Sequence, residues 1–201
     1  MLPTTPPTFT PPSALQRPAL QSALTIVGDL RIAITGHTCI VMDNSNILHG
    51  SLGRGFRVDS ALVLEQLSGE KLVSATMSVS NSPHDRPCQN AYYDWVKRLG
   101  WKVNGFDLLL DDSGQLIENE RLVDGDVRKQ IRAAAKFEHC DTIVVLGGDG
   151  GYVNAVKEAR CAGKTIVVIA WEGTLHPALA AAASTYASVE SLRYLIGRAV
   201  H

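Results

Sequence analysis

Apolar residues in this chain come in short consecutive runs, and between the runs they fall at helical spacing. TCIVMD (38–43), KLVSATMSVS (71–80), DTIVVLGG (141–148) and KTIVVIAW (164–171) are rich in neighbouring apolar and β-branched residues. That is the pattern of strands covered on both faces. WKVNGFDLLL (101–110) opens a further strand segment, DDSG (111–114) reads as a turn, and TYASV (185–189) suits an edge strand. ALTIVGDLRIAI (23–34) is apolar but ambiguous between a strand pair and a packed connection.

Helical segments alternate with these strands. Residues 58–68 carry helical spacing that stops before Gly69, and CQNAYYDWVKRLG (88–100) is amphipathic and closed by Gly100. A further helix is expected from about residue 124 to 137, opened by Val123-Asp124-Gly125-Asp126. GYVNAVKEARCAG (151–163), PALAAAAS (177–184) and a terminal SLRYLIGRAV (191–200) complete the set. No internal repeat is present. Strands alternating with helices predict an α/β fold, a Rossmann-like three-layer sandwich around a mostly parallel sheet.

Composition narrows this picture. A chain of 201 residues suits one domain, placed at 23–201, after a Pro/Thr-rich arm at 1–22. The arm has too little apolar surface to offset chain entropy and is expected to be flexible. It lacks the basic start and apolar stretch of a signal peptide, and no run reaches membrane-spanning length. A formal net charge of −1 argues against a globally basic nucleic-acid glove, so RNA binding would need a local patch. Cys39, Cys88, Cys140 and Cys161 are scattered without zinc spacing, which points to buried or free thiols and a reducing, cytoplasmic setting. A protein partner held through the arm, or a second copy of the chain, stays open.

In parallel sheets functional groups gather at the carboxyl ends of strands. Three acidic positions fall where the chain changes direction: Asp43 in Asp43-Asn44-Ser45-Asn46, Asp124, and Asp149 in Gly147-Gly148-Asp149-Gly150-Gly151. The glycine-rich loop has two readings. It cradles a phosphate on its backbone N–H groups, or it brings Asp149 to a metal. Carboxylates crowded together repel unless a cation neutralises them, and oxygen-only ligands suit Mg²⁺ or Mn²⁺. The glycines would then let a bulky polyanion approach. Each aspartate also has a plainer use, capping backbone N–H groups.

GGDG after an apolar strand resembles the nucleotide loop of NAD kinases and diacylglycerol kinases. Here Gly151 stands where Thr is usual, and residues 152–201 read as αβ units in place of a large β-rich domain. A longer resemblance runs from about residue 38 to 188. VMDNSN resembles the opening block of NYN domains, the PIN-like ribonuclease branch that includes LabA-type proteins. RLVDGDV is similar to the segment that begins their central helix, and VVLGGDGGYVNAVKEARCAGKTIVVI to their SGD block, in order and spacing. The resemblance implies a PIN-type fold and a Mg²⁺- or Mn²⁺-dependent endoribonuclease. Asp43, Asp124 and Asp149 would hold the metal, and Asn46 would orient substrate or water. Tyr152, in place of the family Phe, would pack behind Asp149.

The chain departs from that family pattern where Gln130 and Gly151 replace two further aspartates and Asn44 replaces Gly. The departures keep a second outcome open: the same fold binding RNA or a protein without cutting it. Arg54, Arg128 and Arg132, with Arg57, Lys129 and Lys136 nearby, are candidate phosphate contacts, or else a solvated face.

Overall fold

Successive residues of the central strands point to opposite faces, and both faces are apolar. In β1 (His37–Asp43) Ile40 and Met42 enter one core while Cys39 and Val41 enter the other. The computed structural model describes residues 34–84 and 86–200. The expected arm and most of the ambiguous 23–34 segment lie outside the described residues.

After β1 the chain forms α1 (Asn44–Ser51), β2 (Phe56–Val58), α2 (Ser60–Leu67), β3 (Lys71–Asn81), α3 (Arg86–Leu99), β4 (Lys102–Asp107) and a small hairpin, β5 (Leu109–Leu110) with β6 (Leu116–Ile117). Then come α4 (Glu120–Ala135), β7 (Thr142–Leu146), a 3-10 turn at Gly150–Tyr152, α5 (Val153–Cys161) and β8 (Thr165–Ala170). The chain continues through α6 (Pro177–Ala182), β9 (Thr185–Ser188), α7 (Arg193–Ile196) and β10 (Gly197–Ala199).

Six strands pair in parallel in the order β4-β3-β1-β7-β8-β9. The chain therefore winds outward from β1 through β3 to β4, crosses back, and winds the other way from β7. That reversal between β1 and β7 is the switch point at which α/β sheets open a crevice. One core packs α2, α3 and α7 on the sheet through Val63, Leu67, Val96 and Ile196. The opposite core packs α4, α5 and α6 through Val127, Ile131, Ala155, Val156 and Leu179. Helices on both sides of the sheet make the expected three-layer α/β sandwich.

Three expectations change. Helix α4 begins at Glu120, because Val123, Val127, Ile131 and Ala134 form one buried stripe that starts before Asp124. Asn119 is its N-cap residue, so Asp124 sits a turn inside the helix and is not a cap. Helix α1 was not foreseen, since NSNILHGS has little apolar periodicity; Asp43 nucleates it by accepting from the N–H of Asn46 at 3.0 Å. The expected terminal helix shrinks to one turn. From Gly197 the chain pairs antiparallel with β2, and a Cβ at Gly197 would lie 2.8 Å from the Phe56 ring.

Candidate active site

Asp43 ends β1 and is 4% exposed. Its Oδ1 takes the Asn46 N–H and its Oδ2 takes the hydroxyl of Tyr152, whose ring is fully buried. The same hydroxyl lies 3.3 Å from Asp124 Oδ1, so one phenolic proton faces two carboxylates. Asp149 follows β7 and its Oδ1 accepts from the Gly151 N–H at 2.5 Å, capping the 3-10 turn. Asn46 takes part in the scaffold through one atom: its Oδ1 accepts from the Gly148 N–H at 3.2 Å and ties α1 to the loop after β7.

These bonds weigh against the phosphate-cradle reading of the glycine loop. The N–H of Gly147 goes to Ile169 O, that of Gly148 to Asn46, that of Gly151 to the Asp149 carboxylate and that of Tyr152 to Asp149 O. A phosphate cradle needs such donors free. The Gly151 N–H fixes the Asp149 carboxylate, and the early glycines of the loop serve close packing. A Cβ at Gly147 would sit 3.2 Å from Asp43 Cβ and 3.3 Å from the Tyr152 ring, and one at Gly148 would strike Thr174 O at 2.5 Å. Only Gly151 opens on the cluster. The point its Cβ would take is 2.8 Å from Asp149 Oδ1, 3.2 Å from Arg128 Nη1 and 3.8 Å from Asp124 Oδ2.

The cluster is crowded with negative charge. Burial raises the Asp43 carboxyl above the usual range against the bonds from Asn46 and Tyr152, with the charges of Glu118 and Asp149 adding to the rise. Asp124 is pushed up to about 6, first by burial, then by Asp149 and Asp43; Tyr152 and Arg128 oppose the shift. Burial, with Asp43 beside it, also raises the Tyr152 phenol, which stays a proton donor.

The structure sorts the remaining candidates. Arg128 lies beside Gly151 and forms none of the ion pairs found among the described residues. Arg54 instead pairs with Glu190 and stacks 5.0 Å over Trp171. Arg132 is bound in a two-pronged pair to Glu158 on α5, with contacts of 2.5 and 2.9 Å. Gln130 donates to Asp126 at 3.1 Å, and Asp126 also takes bonds from Ser78 and Asn104. That set locks α4 to β3 and β4.

Sequence reasoning missed two residues. Glu118 enters as a further charge near Asp43 and accepts from Ser80; it sits in a loop with no pattern to flag it. Tyr152 was noticed only as packing behind Asp149, because the partner of a buried hydroxyl is set by tertiary structure.

Among the described residues no three Asp, Glu, His or Cys side chains converge as a ready-made metal cage. The donor chemistry nevertheless suits Mg²⁺ or Mn²⁺, because Mg²⁺ keeps several waters and binds through one or two carboxylates. Asp124 and Asp149, on either side of Gly151 with Arg128 beside them, supply those carboxylates.

No protein-family model matches the chain, and no curated protein matches it. A crystal structure of a protein of unknown function from Vibrio parahaemolyticus is similar in fold, with a TM-score of 0.61 at 15% identity over 77% of this chain and 93% of that one. A PLP-bound aminotransferase from Clostridium difficile aligns at a TM-score of 0.24 and 8% identity, over 82% of this chain and 44% of that one, which carries no argument. The first likeness agrees with the α/β architecture. No helix among the described residues is long and apolar enough to cross a membrane.

Proposed function

We propose that this chain is a cytoplasmic, divalent-cation-dependent endoribonuclease of PIN-like type. The observation that carries the reading is the nearness of three aspartates from separate segments at the switch point of the sheet: the Tyr152 hydroxyl lies between Asp43 and Asp124, Asp124 and Asp149 flank Gly151, and Asp43 and Asp124 are under raised pKa. Such crowding is costly without a cation to offset it. A Mg²⁺ or Mn²⁺ bound there would polarise a phosphoryl oxygen and lower the pKa of a water. Asp124 and Asp149 would hold it, Asp43 would fix the ends of β1 and α1 behind them, and Arg128 would pair with a phosphate oxygen. The choice of RNA as substrate rests on the ordered resemblance of residues 38–188 to NYN domains. The free thiols of Cys39 and Cys140, buried side by side in one core, suit a reducing compartment.

A second reading has its own support. The Tyr152 bridge and the absence of a carboxylate at Gly151 suit a site that binds RNA or a protein without cutting. A labelled RNA pool incubated with Mn²⁺, Mg²⁺ or chelator, beside Asp149→Asn, separates the two. Cleavage that needs metal and is lost in the variant is expected. RNA binding that persists in chelator, with no cleavage in either ion, would replace the nuclease with the binding module.

A further inference from the structure

We infer that the Tyr152 hydroxyl is a built-in placeholder that keeps Asp43 out of direct cation ligation; the inference rests on the cation-site reading above. Tyr152 is fully buried, and its ring is part of the core that α4 and α5 form against the sheet. Its Cε2 lies 3.3 Å from where a Gly147 Cβ would be, so the ring packs close against the loop after β7. From this fixed position the hydroxyl holds Asp43 Oδ2 and reaches Asp124 Oδ1 at 3.3 Å. The other Asp43 oxygen is taken by the Asn46 N–H. Each oxygen of the most buried carboxylate of the cluster therefore accepts one bond within the protein, and the phenol stands between Asp43 and Asp124. Asp149 is exposed, and Asp124 keeps Oδ2 toward Gly151 and Asp149. Asp124 and Asp149 would then hold the cation, and Asp43 would join once the phenol is removed.

The test is Mn²⁺ binding to the full chain, read by electron paramagnetic resonance of free Mn²⁺ and by calorimetry, for the parent, Tyr152→Phe, Asp43→Asn, Asp149→Asn and the Tyr152→Phe/Asp43→Asn double variant. Phe keeps the ring in its core and deletes the donor. Tyr152→Phe is expected to bind about tenfold tighter, the order of one hydrogen bond to a charged group. In the parent background Asp43→Asn should weaken binding several-fold less than Asp149→Asn does. In the Tyr152→Phe background Asp43→Asn should erase the gain, a non-additivity that the double-mutant comparison isolates. Equal or weaker binding by a folded Tyr152→Phe, in a parent that does bind, overturns the placeholder and leaves the cation site standing. Should Tyr152→Phe fail to fold, equal losses from Asp43→Asn and Asp149→Asn overturn it as well. Binding by neither parent nor Tyr152→Phe overturns the cation site and the placeholder with it. Binding by Tyr152→Phe alone supports the placeholder and favours the non-cutting module.

Discussion

Asp124→Asn should make the metal-free protein more stable at pH 8, although it removes a residue of the candidate site. Asp124 has a folded-state pKa of about 6, raised by burial and by Asp149 and Asp43. A carboxyl raised in the folded state contributes stability that is whole below its unfolded pKa of about 4 and is lost as pH climbs through 6. Raising the carboxyl to about 6 corresponds to about 3 kcal/mol as an upper bound. Asp124 is only half-buried, and solvent screening brings the expected figure to about 1.5 kcal/mol. Asn has the same shape, keeps an oxygen for the Tyr152 hydroxyl, and carries no charge. In chelator at pH 8 the variant should therefore melt about 4 °C above the parent, and the gap should close near pH 4. Added Mn²⁺ should raise the parent's melting temperature and leave the variant's nearly unchanged. Urea and thermal unfolding at pH 4, 6 and 8 measure all of this. A variant no more stable than the parent at pH 8, or equally more stable at pH 4, would refute the charge-crowding argument.

Gly151→Asp puts a Cβ 2.8 Å from Asp149 Oδ1, which must give way, and adds a carboxylate beside Asp149, Asp124 and Arg128; calorimetry should show Mn²⁺ bound about tenfold tighter and the chelated protein destabilised by about 1 kcal/mol, and unchanged affinity would mean position 151 is not part of the cation site. Arg54→Ala loses the Glu190 pair and the stack on Trp171, so denaturant unfolding should show a loss of about 1 kcal/mol. Its Mn²⁺ binding should match the parent's, whereas Arg128→Ala should weaken RNA retention in a salt-dependent way; equal effects of the two on RNA would undo their assignment to different roles.

The chain's own pattern determined the layers. Runs such as TIVVL and TIVVIA are apolar at both parities, and only a sheet buried on both faces satisfies that. It also placed Asp43 and Asp149 at the carboxyl ends of strands, since the change from apolar run to turn residues is local. What the side chains beyond those ends do was decided by tertiary structure. Two arginines of the expected phosphate face, Arg54 and Arg132, proved to be held by Glu190 and Glu158, far from them in sequence. Gln130 holds Asp126, and Tyr152 spans 109 residues to reach Asp43. Asp124 changed from helix cap to second-turn residue because the stripe of Val123 and its partners buries against the sheet, a preference stronger than the turn signal of the glycine beside it. The pairing of β10 with β2 likewise overrode a helical pattern at the chain's end. Periodicity reports which face of a residue meets apolar surroundings; it carries no information on which distant polar atom will share a buried space, and at the carboxyl end of β1 that pairing determines the chemistry.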